Sequence, residues 1–497
     1  MSRETSVAMT GATHRALRQL LLRGDGQEDL CFATYRASTG RARRTALLVQ
    51  PIPPRPGDRD VHGNATVTGD YVLRAANEAR QMGGGVALLH SHPAGSGWQP
   101  MSGPDRDAER SYANLAREIT GLPLIGLTLA GRDQAWSARH WDRGVGREVE
   151  RTDCVNVRVV DDRLRVFWHD GLRPEPRDTG RQLRTVAAWG HGTQADLTRR
   201  RVLVVGVGSV GLDVAVRLAA SGLTDVTIMD FDLVEEHNLD RLIGAGPRDV
   251  RLRLPKTHVA RREALRNATA ADPRVRISDR SVCERDGLAV ALDHDLIFSC
   301  VDRPWARAVL NSLAYTDLIP VIDGGIAIDT REEGSMRNAT WRSHVVRPGR
   351  PCMVCTRQLD MSLVALDTQG LLDDPAYIAG GGRASGLRQN VAPLSVNVAA
   401  ALLAQYVSFS VAPGGFGDPG PLQYVLSTHE LHHLGPSSSP SCMYEPSEPV
   451  GDQRADLTGK DPVAERGRHR ARTSPLILRL RRSISGRLDE RHWRTAF

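Results

Sequence analysis

The run RVLVVGVGSVGLDVAVRLAASG (201–222) constrains this chain more than any other stretch. A short apolar segment suited to a buried strand leads into Gly206, Gly208 and Gly211, and a helical apolar pattern follows at once. Glycines at that spacing permit a tight turn and let backbone N–H groups approach a phosphate at a helix N-terminus. The next apolar segment ends in Asp230 and Asp232, where an acid can meet a ribose hydroxyl. By itself this pattern serves a nucleotide-free scaffold, a dinucleotide oxidoreductase or a phosphate-handling enzyme equally well.

Lysine usage narrows the choice. The chain holds two lysines against sixty-three arginines, and one of the two, Lys256, follows closely in PKTHVA. A compact ammonium enters a phosphate cluster as a point charge, where a planar guanidinium fits differently. Taken alone, Lys256 is equally compatible with a chance surface position. Its neighbours Asn238 and Arg241, in NLDR, supply further donors for a triphosphate. Asp302 follows the apolar segment DLIFSC, where a carboxylate can hold magnesium beside phosphates. Hydride transfer requires no such cluster, so the NAD-linked oxidoreductase reading fails.

These residues, with VIDGG (321–325) and NVAPLSVNVAAALLAQYV (390–407), make residues 180–435 resemble the ThiF/MoeB/HesA family, the adenylating domain of ubiquitin-activating enzymes. The resemblance implies a Rossmann-like fold with a mixed sheet that uses ATP and Mg2+. By it, Gly206, Gly208 and Gly211 cradle phosphates, and Asp230, with Asp232 beside it, serves the ribose. Asn238, Arg241 and Lys256 bind the triphosphate, and Asp302 binds magnesium. Arg181 matches an arginine that the family donates to the partner's ATP, which implies a homodimer. The implied chemistry is attack of a C-terminal carboxylate on the α-phosphate, giving an acyl-adenylate and pyrophosphate.

A second constellation lies upstream, where apolar strand patterns (28–36, 44–52, 83–93, 123–131) alternate with helical ones (14–22, 70–81, 105–119) in an α/β arrangement. The loop HSHPAGSGWQPMSGPD (90–105) places His90 and His92 two apart at a strand end, on one side, with Asp105 returning from the next helix. Two histidines and one carboxylate hold zinc with its fourth position open. HSHP followed by SGPD resembles the JAB/MPN (JAMM) metalloprotease family, over roughly residues 10–145. That resemblance implies a cytidine-deaminase-like α/β domain with His90, His92 and Asp105 as zinc ligands. Ser102 would stabilise the tetrahedral intermediate. The family's catalytic glutamate lies on an early strand; no glutamate occurs between Glu28 and Glu78, which makes Glu28 the general base.

Two departures from the adenylating family stand out. Many relatives carry two CxxC pairs for structural zinc; here Cys352 and Cys355 form one, and downstream only Cys442 remains, near His429, His432 and His433. A mixed Cys/His zinc site and a metal-free reduced pair are both open. Thioester-forming relatives place a cysteine in the crossover segment, here 356–390, which contains none.

The formal charge of +7 arises in the tail: residues 454–497 carry twelve Lys/Arg against five Asp/Glu, so the remainder balances. The basicity therefore argues for no nucleic-acid face. The N-terminus has no apolar leader and no apolar run approaches a membrane span, so the expectation is a cytoplasmic chain without membrane contact. The expected organisation is a JAMM/Mov34-like domain over 1–145, a linker over 146–180 with one strand (NVRVV, 156–160), an adenylating domain over 181–436 and a basic, disordered tail over 437–497. Within the tail, SPLILRLRRSI (474–484) reads as a short docking helix.

Together the two constellations imply a bifunctional enzyme. It would adenylate a ubiquitin-like or sulfur-carrier protein ending in Gly-Gly, and cleave amide or isopeptide bonds at such tails. A conjugating enzyme is a further implied partner. One alternative confines the role to sulfur-carrier activation in cofactor or natural-product synthesis, which the absent crossover cysteine fits. The other is a non-catalytic module that grips ubiquitin-like proteins.

Overall fold

The computed structural model describes residues 3–61, 65–144, 148–177, 179–373, 390–435, 438–445 and 449–473. The chain divides into two units. Unit 1 comprises Met1–Pro174 with Tyr315–Leu318 and Pro446–Ala455; unit 2 comprises Glu175–Ala314, Ile319–Glu445 and Asp456–Phe497.

In unit 1 the strands are β1 (Glu4–Thr10), β2 (Leu30–Thr39), β3 (Arg43–Ile52), the short hairpin β4 (Arg59–Asp60) and β5 (Thr66–Val67), β6 (Gly85–His92), β7 (Leu124–Ala130), β8 (Trp136–Arg143), β9 (Val149–Asp153), β10 (Asn156–Val160) and β11 (Leu164–Trp168). Nine of them form one mixed sheet in the order β11-β10-β1-β3-β2-β6-β7-β8-β9. Helices α1 (Gly11–Leu21), α2 (Gly69–Gln81) and α3 (Gly103–Thr120) cover it. Strand alternation splits the core. Ala87 and Leu89 of β6 join Leu17 and Leu21 of α1, whereas Val86 and Leu88 join Tyr71 and Ala75 of α2 and Ala113 of α3. His90 and His92 continue the second series and so leave β6 on the face that α2 and α3 cover.

The expected 146–180 linker is corrected by the structure, because β9, β10 and β11 belong to the unit 1 sheet and the units divide after Pro174. Val157 and Val159 are fully buried, and β10 pairs in parallel with β1, a strand absent from the sequence reading. The segment's Arg and Asp content suggested a connector; pairing with a strand some 150 residues away is invisible to local composition.

Unit 2 contains an eight-stranded sheet in the order β14-β13-β12-β15-β16-β17-β18-β19. Its strands are β12 (Arg201–Val205), β13 (Asp225–Met229), β14 (Arg274–Ser278), β15 (Leu296–Ser299), β16 (Val321–Thr330), β17 (Met336–Val346), β18 (Leu422–Val425) and β19 (Glu430–His433). β14 through β16 run parallel and the remaining strands antiparallel, a mixed Rossmann-like arrangement. The chain winds outward from β12 to β14 and then returns to β15 on the other side of β12, which leaves a crevice at the strand C-termini.

Two further expectations change here. Helix Ala392–Val411 is long and apolar enough to cross a membrane, contrary to the sequence expectation, with a mean hydropathy of 1.5. Its buried residues Leu394, Val398, Leu402, Gln405 and Phe409 recur at helical spacing and its neighbours include β16 and β17, as in a core helix. The tail is not wholly disordered either: a helix spans Pro462–Arg472, capped by Asp461, with Ala464 fully buried. Arg468 pairs there with Glu284, so charge that reads as a solvated run has fixed partners. The helix expected over 474–484 lies outside the described residues.

Candidate functional site

The glycine loop of unit 2 is dictated by close contacts. Gly206 adopts φ +81°, and a Cβ there would lie 2.7 Å from the Cys300 carbonyl oxygen. A Cβ on Gly211 would lie 1.9 Å from the Gly206 carbonyl oxygen, so helix α4 (Ser209–Ala220) can start here only with glycine. Gly208 lines a cavity of about 720 Å3 in the crevice, within the range of small-molecule pockets. Asp230, Asp232, Asn238, Arg241, Lys256 and Asp302 line the same cavity, so residues scattered over about 100 positions of sequence converge.

Asp230 follows β13 and accepts hydrogen bonds from Val207 N at 2.8 Å and Asp232 N at 2.7 Å, tying the glycine loop to the next strand. Burial raises its pKa to about 6, and the Asp232 charge adds to the rise. Lys256 opens helix α5 (Lys256–Asn267); its backbone N–H donates to Asp232 O at 2.9 Å and its Nζ to Asp232 Oδ2 at 2.8 Å. Burial opposes the ammonium, yet the carboxylates of Asp230, Asp232 and Asp302 outweigh it and hold Lys256 above the ordinary lysine range. The ammonium is therefore charged and held toward the cavity by acids. Asn238 is buried and its Oδ1 accepts from Glu235 N at 3.0 Å, which shapes the turn carrying Arg241.

The sequence reading missed Arg280, Arg303 and Arg342, which also line the cavity. Arg342 lies on β17 directly opposite Gly325, and a Cβ on Gly325 would stand 3.1 Å from its Nη2. The double glycine of VIDGG was the available signal. Burial, and then Arg307, pulls Arg342 down to about 10, so it stays cationic near neutral pH. Arg181 is exposed, and it is not among the residues lining this cavity.

In unit 1 the ligand atoms of His90, His92 and Asp105 come together. The two histidine Nε2 atoms are 3.2 Å apart, and Asp105 Oδ2 is 3.8 Å from each. Zinc bonds of about 2.0–2.1 Å at a tetrahedral angle separate ligand atoms by roughly 3.3–3.4 Å, so this triangle fits zinc closely. Burial, and then Arg139, lowers His90 to about 3, which keeps it neutral as a ligand must be. Asp105 holds His92 above its ordinary range and is itself held low by His92. His92 Nδ1 donates to Gln99 Oε1 at 3.2 Å, because the Gln99 amide nitrogen is committed to the Ser96 and Gly97 carbonyls. That leaves Nε2 facing His90 and Asp105.

Ser102 caps α3: its Oγ donates to Asp105 Oδ2 at 2.6 Å and accepts from Asp105 N at 3.2 Å. In this state the hydroxyl positions Asp105. Glu28 precedes β2, half-buried, and its pKa is raised by burial and by the Asp105 charge, with His92 opposing. Behind α3, Glu109 and Arg139 form a fully buried ion pair that Trp141 Nε1 joins at 2.6 Å. Arg139 also donates to Thr128 Oγ1 at 2.6 Å, and Thr128 lies 3.3 Å from His90 Nε2. The sequence offered no local sign of this support, since its members sit on three elements.

Cys352 and Cys355 gather with Cys442 into a further metal-competent group. Cys442 Sγ is 3.7 Å from Cys352 Sγ. Backbone N–H groups of Cys355, Ser439 and Glu445 donate to the three sulfurs at 3.3–3.5 Å, while burial pushes the Cys352 thiol up to about 12. The histidines proposed for a mixed site are not in the group; His432 on β19 pairs with Glu430.

Residues 179–410 match the family described as "ThiF family". The chain is 32% identical over 194 residues to "Adenylyltransferase and sulfurtransferase UBA4" of Yarrowia lipolytica, covering 38% of this chain and 44% of that protein. It is 31% identical over 168 residues to "Molybdopterin-synthase adenylyltransferase" of Escherichia coli, covering 33% of this chain and 62% of that protein. The chain thus spans less than two thirds of the length of these relatives. Among solved structures, E. coli MccB aligns with a TM-score of 0.41 at 20% identity, over 56% of this chain and 73% of that one. Residues 179–410 thus match the ThiF family, and the cavity lies at the strand ends of the sheet that these residues build.

Proposed function

We propose that unit 2 adenylates the C-terminal carboxylate of a sulfur-carrier or ubiquitin-like protein with a Gly-Gly tail. The convergence of Lys256, Arg241 and Asp302 on the glycine-loop cavity carries this reading. ATP fits the residues present: the loop backbone cradles phosphate, Asp230 accepts from the ribose, and Asn238, Arg241 and Lys256 meet the triphosphate. Magnesium, when bound, neutralises phosphate charge, and Asp302 is the residue to hold it. The carrier carboxylate attacks the α-phosphorus, the bond to the β-phosphate oxygen breaks, and pyrophosphate leaves. Converging cations stabilise the charge that builds on the α-phosphate oxygens.

Of the two carrier classes, sulfur carriers are favoured. A relative bears the name adenylyltransferase and sulfurtransferase, and residues 356–390 contain no cysteine for a thioester. Purified protein with magnesium, ATP and a Gly-Gly-tailed carrier should exchange labelled pyrophosphate into ATP. Asp302→Ala should abolish the exchange; full exchange in that variant overturns the reading.

A second activity is supported by the His90, His92 and Asp105 triangle: zinc-dependent amide cleavage at carrier tails. Zinc, when bound, acts as a Lewis acid. Glu28 takes the proton from the attacking water, and Ser102 orients Asp105. Glu28→Gln should retain zinc and lose cleavage of residues appended after Gly-Gly. Normal cleavage by that variant removes Glu28 as the base.

A further inference from the structure

The nucleotide cavity is walled in part by residues outside the matched 179–410. Asp461 and Val463 line it, together with Arg280, Ser281, Val282 and Cys283 that follow β14. The segment bearing them is fastened along its length. Arg285 pairs with Asp456 at 2.9 Å, Trp305 Nε1 donates to Leu457 O at 2.8 Å, and Gly459 N donates to Cys283 O at 2.9 Å. Buried Asp461 accepts from Ser281 Oγ at 2.7 Å and caps the helix through Val463 N and Ala464 N. Arg468 grips Glu284 with both terminal nitrogens, at 2.8 and 2.5 Å. Gly467 packs so tightly on the strand end between Asp230 and Asp232 that a Cβ there would lie 2.8 Å from Phe231 O.

Strand order gives this wall a role. The glycine loop that cradles phosphate follows β12 and Asp302 follows β15, while Asp230 follows β13. A nucleotide laid across the crevice therefore runs outward from β12 toward β14, a span of roughly 10 Å at two strand spacings. Its base arrives where the residues after β14 face Asp461 and Val463. Apolar groups of the cavity lining there include Val282 and Val463, with Phe231 beside Asp230.

Building on the ATP reading above, we propose that residues 456–467 form the base-recognition wall of this cavity. Val463 and Val282 are the apolar surface against which a purine rests, and the wall sets a preference for purine over pyrimidine nucleotides. A pyrimidine ring, being smaller, reaches less of this surface and buries less apolar area.

Calorimetric titration of the full chain with ATP, CTP and inorganic tripolyphosphate tests this. ATP should bind about tenfold or more tighter than CTP, a factor of ten being the least a specific wall should produce. Val463→Trp fills the base end and should weaken ATP about tenfold or more, while tripolyphosphate binding stays within about twofold. Val463→Ala, a milder change, should narrow the ratio of ATP to CTP affinity. Equal ATP and CTP affinity in the unsubstituted chain, or unaltered ATP affinity and selectivity in both variants, overturns the proposal alone. Absence of ATP binding to the unsubstituted chain overturns it together with the adenylation reading.

Discussion

Lys256 meets Asp232 twice, through its backbone N–H at 2.9 Å and its ammonium at 2.8 Å, so the helix start and the charged tip answer to one residue. The acid both seats the first turn of α5 and points the ammonium into the cavity. Lys256→Ala should lower pyrophosphate exchange about a hundredfold or more, and Lys256→Arg should recover little of it, because the planar guanidinium cannot occupy the ammonium's place. Asp232→Asn should leave folding intact but lower kcat/KM. Wild-type exchange in Lys256→Ala would remove the lysine from the machinery.

Asp230 gives a pH signature. Its folded pKa of about 6 lies above the ordinary carboxylate value, so the folded state binds the proton more tightly than the unfolded chain. The sign is opposite to that of a salt-bridged acid: its unfavourable contribution to stability develops as pH rises from about 4 to about 6 and is relieved below that window. A ribose hydroxyl donates more strongly to the ionised acid. ATP affinity should therefore fall a few-fold between pH 7.5 and pH 5.5, and Asp230→Asn should flatten that profile. A flat wild-type profile would show that Asp230 does not contact the nucleotide in its ionised form.

The Glu109–Arg139 pair supports the N-terminal cluster from behind, and both residues are almost wholly buried. Removing one partner leaves a buried charge uncompensated, at a cost of about 3–5 kcal/mol. Glu109→Ala should lower the chemical-denaturation stability of unit 1 by about that amount. Zinc content should fall with it, because α3 carries Asp105 and Arg139 reaches His90 through Thr128. Stability unchanged within about 0.5 kcal/mol would contradict the structural role assigned to the pair.

The exposed Arg181 is expected to serve a partner's ATP in a homodimer. Mixing Arg181→Ala with Asp302→Ala tests this directly, since a heterodimer rebuilds one complete site. Recovery of pyrophosphate exchange in the mixture is the expected outcome. No recovery, once subunit exchange is demonstrated, would confine Arg181 to its own chain.

The three cysteines call for a metal test. Zinc analysis of the protein should find two ions per chain, one of them lost in Cys442→Ser and the other in His92→Ala. Retention of both in Cys442→Ser would leave Cys352 and Cys355 a reduced pair.

Much of both sites was legible in the chain because their signals are local. Turn chemistry marks Gly206 to Gly211, where a Cβ would collide with neighbouring backbone. Strand alternation sets His90 and His92 on one face, and the SGPD stretch downstream supplies Asp105 at the start of the next helix. Apolar period outlined α1, α2, α3, β6 and β7 near their observed bounds.

Other features depend on partners far away in the chain, and only the tertiary structure decided them. β10 reads as a lone strand within a linker until β1 supplies its backbone partners. Cys442 acquires meaning from Cys352, ninety residues upstream, and Arg342 from the glycine opposite it. The basic tail reads as solvated charge until Glu284 and Ser281 compensate its Arg468 and Asp461. Propensity and periodicity act over a few residues, so they mark elements and loops. Register, compensation of buried charge and closure of a cavity are set by residues distant in sequence, and they exist only once the chain has folded.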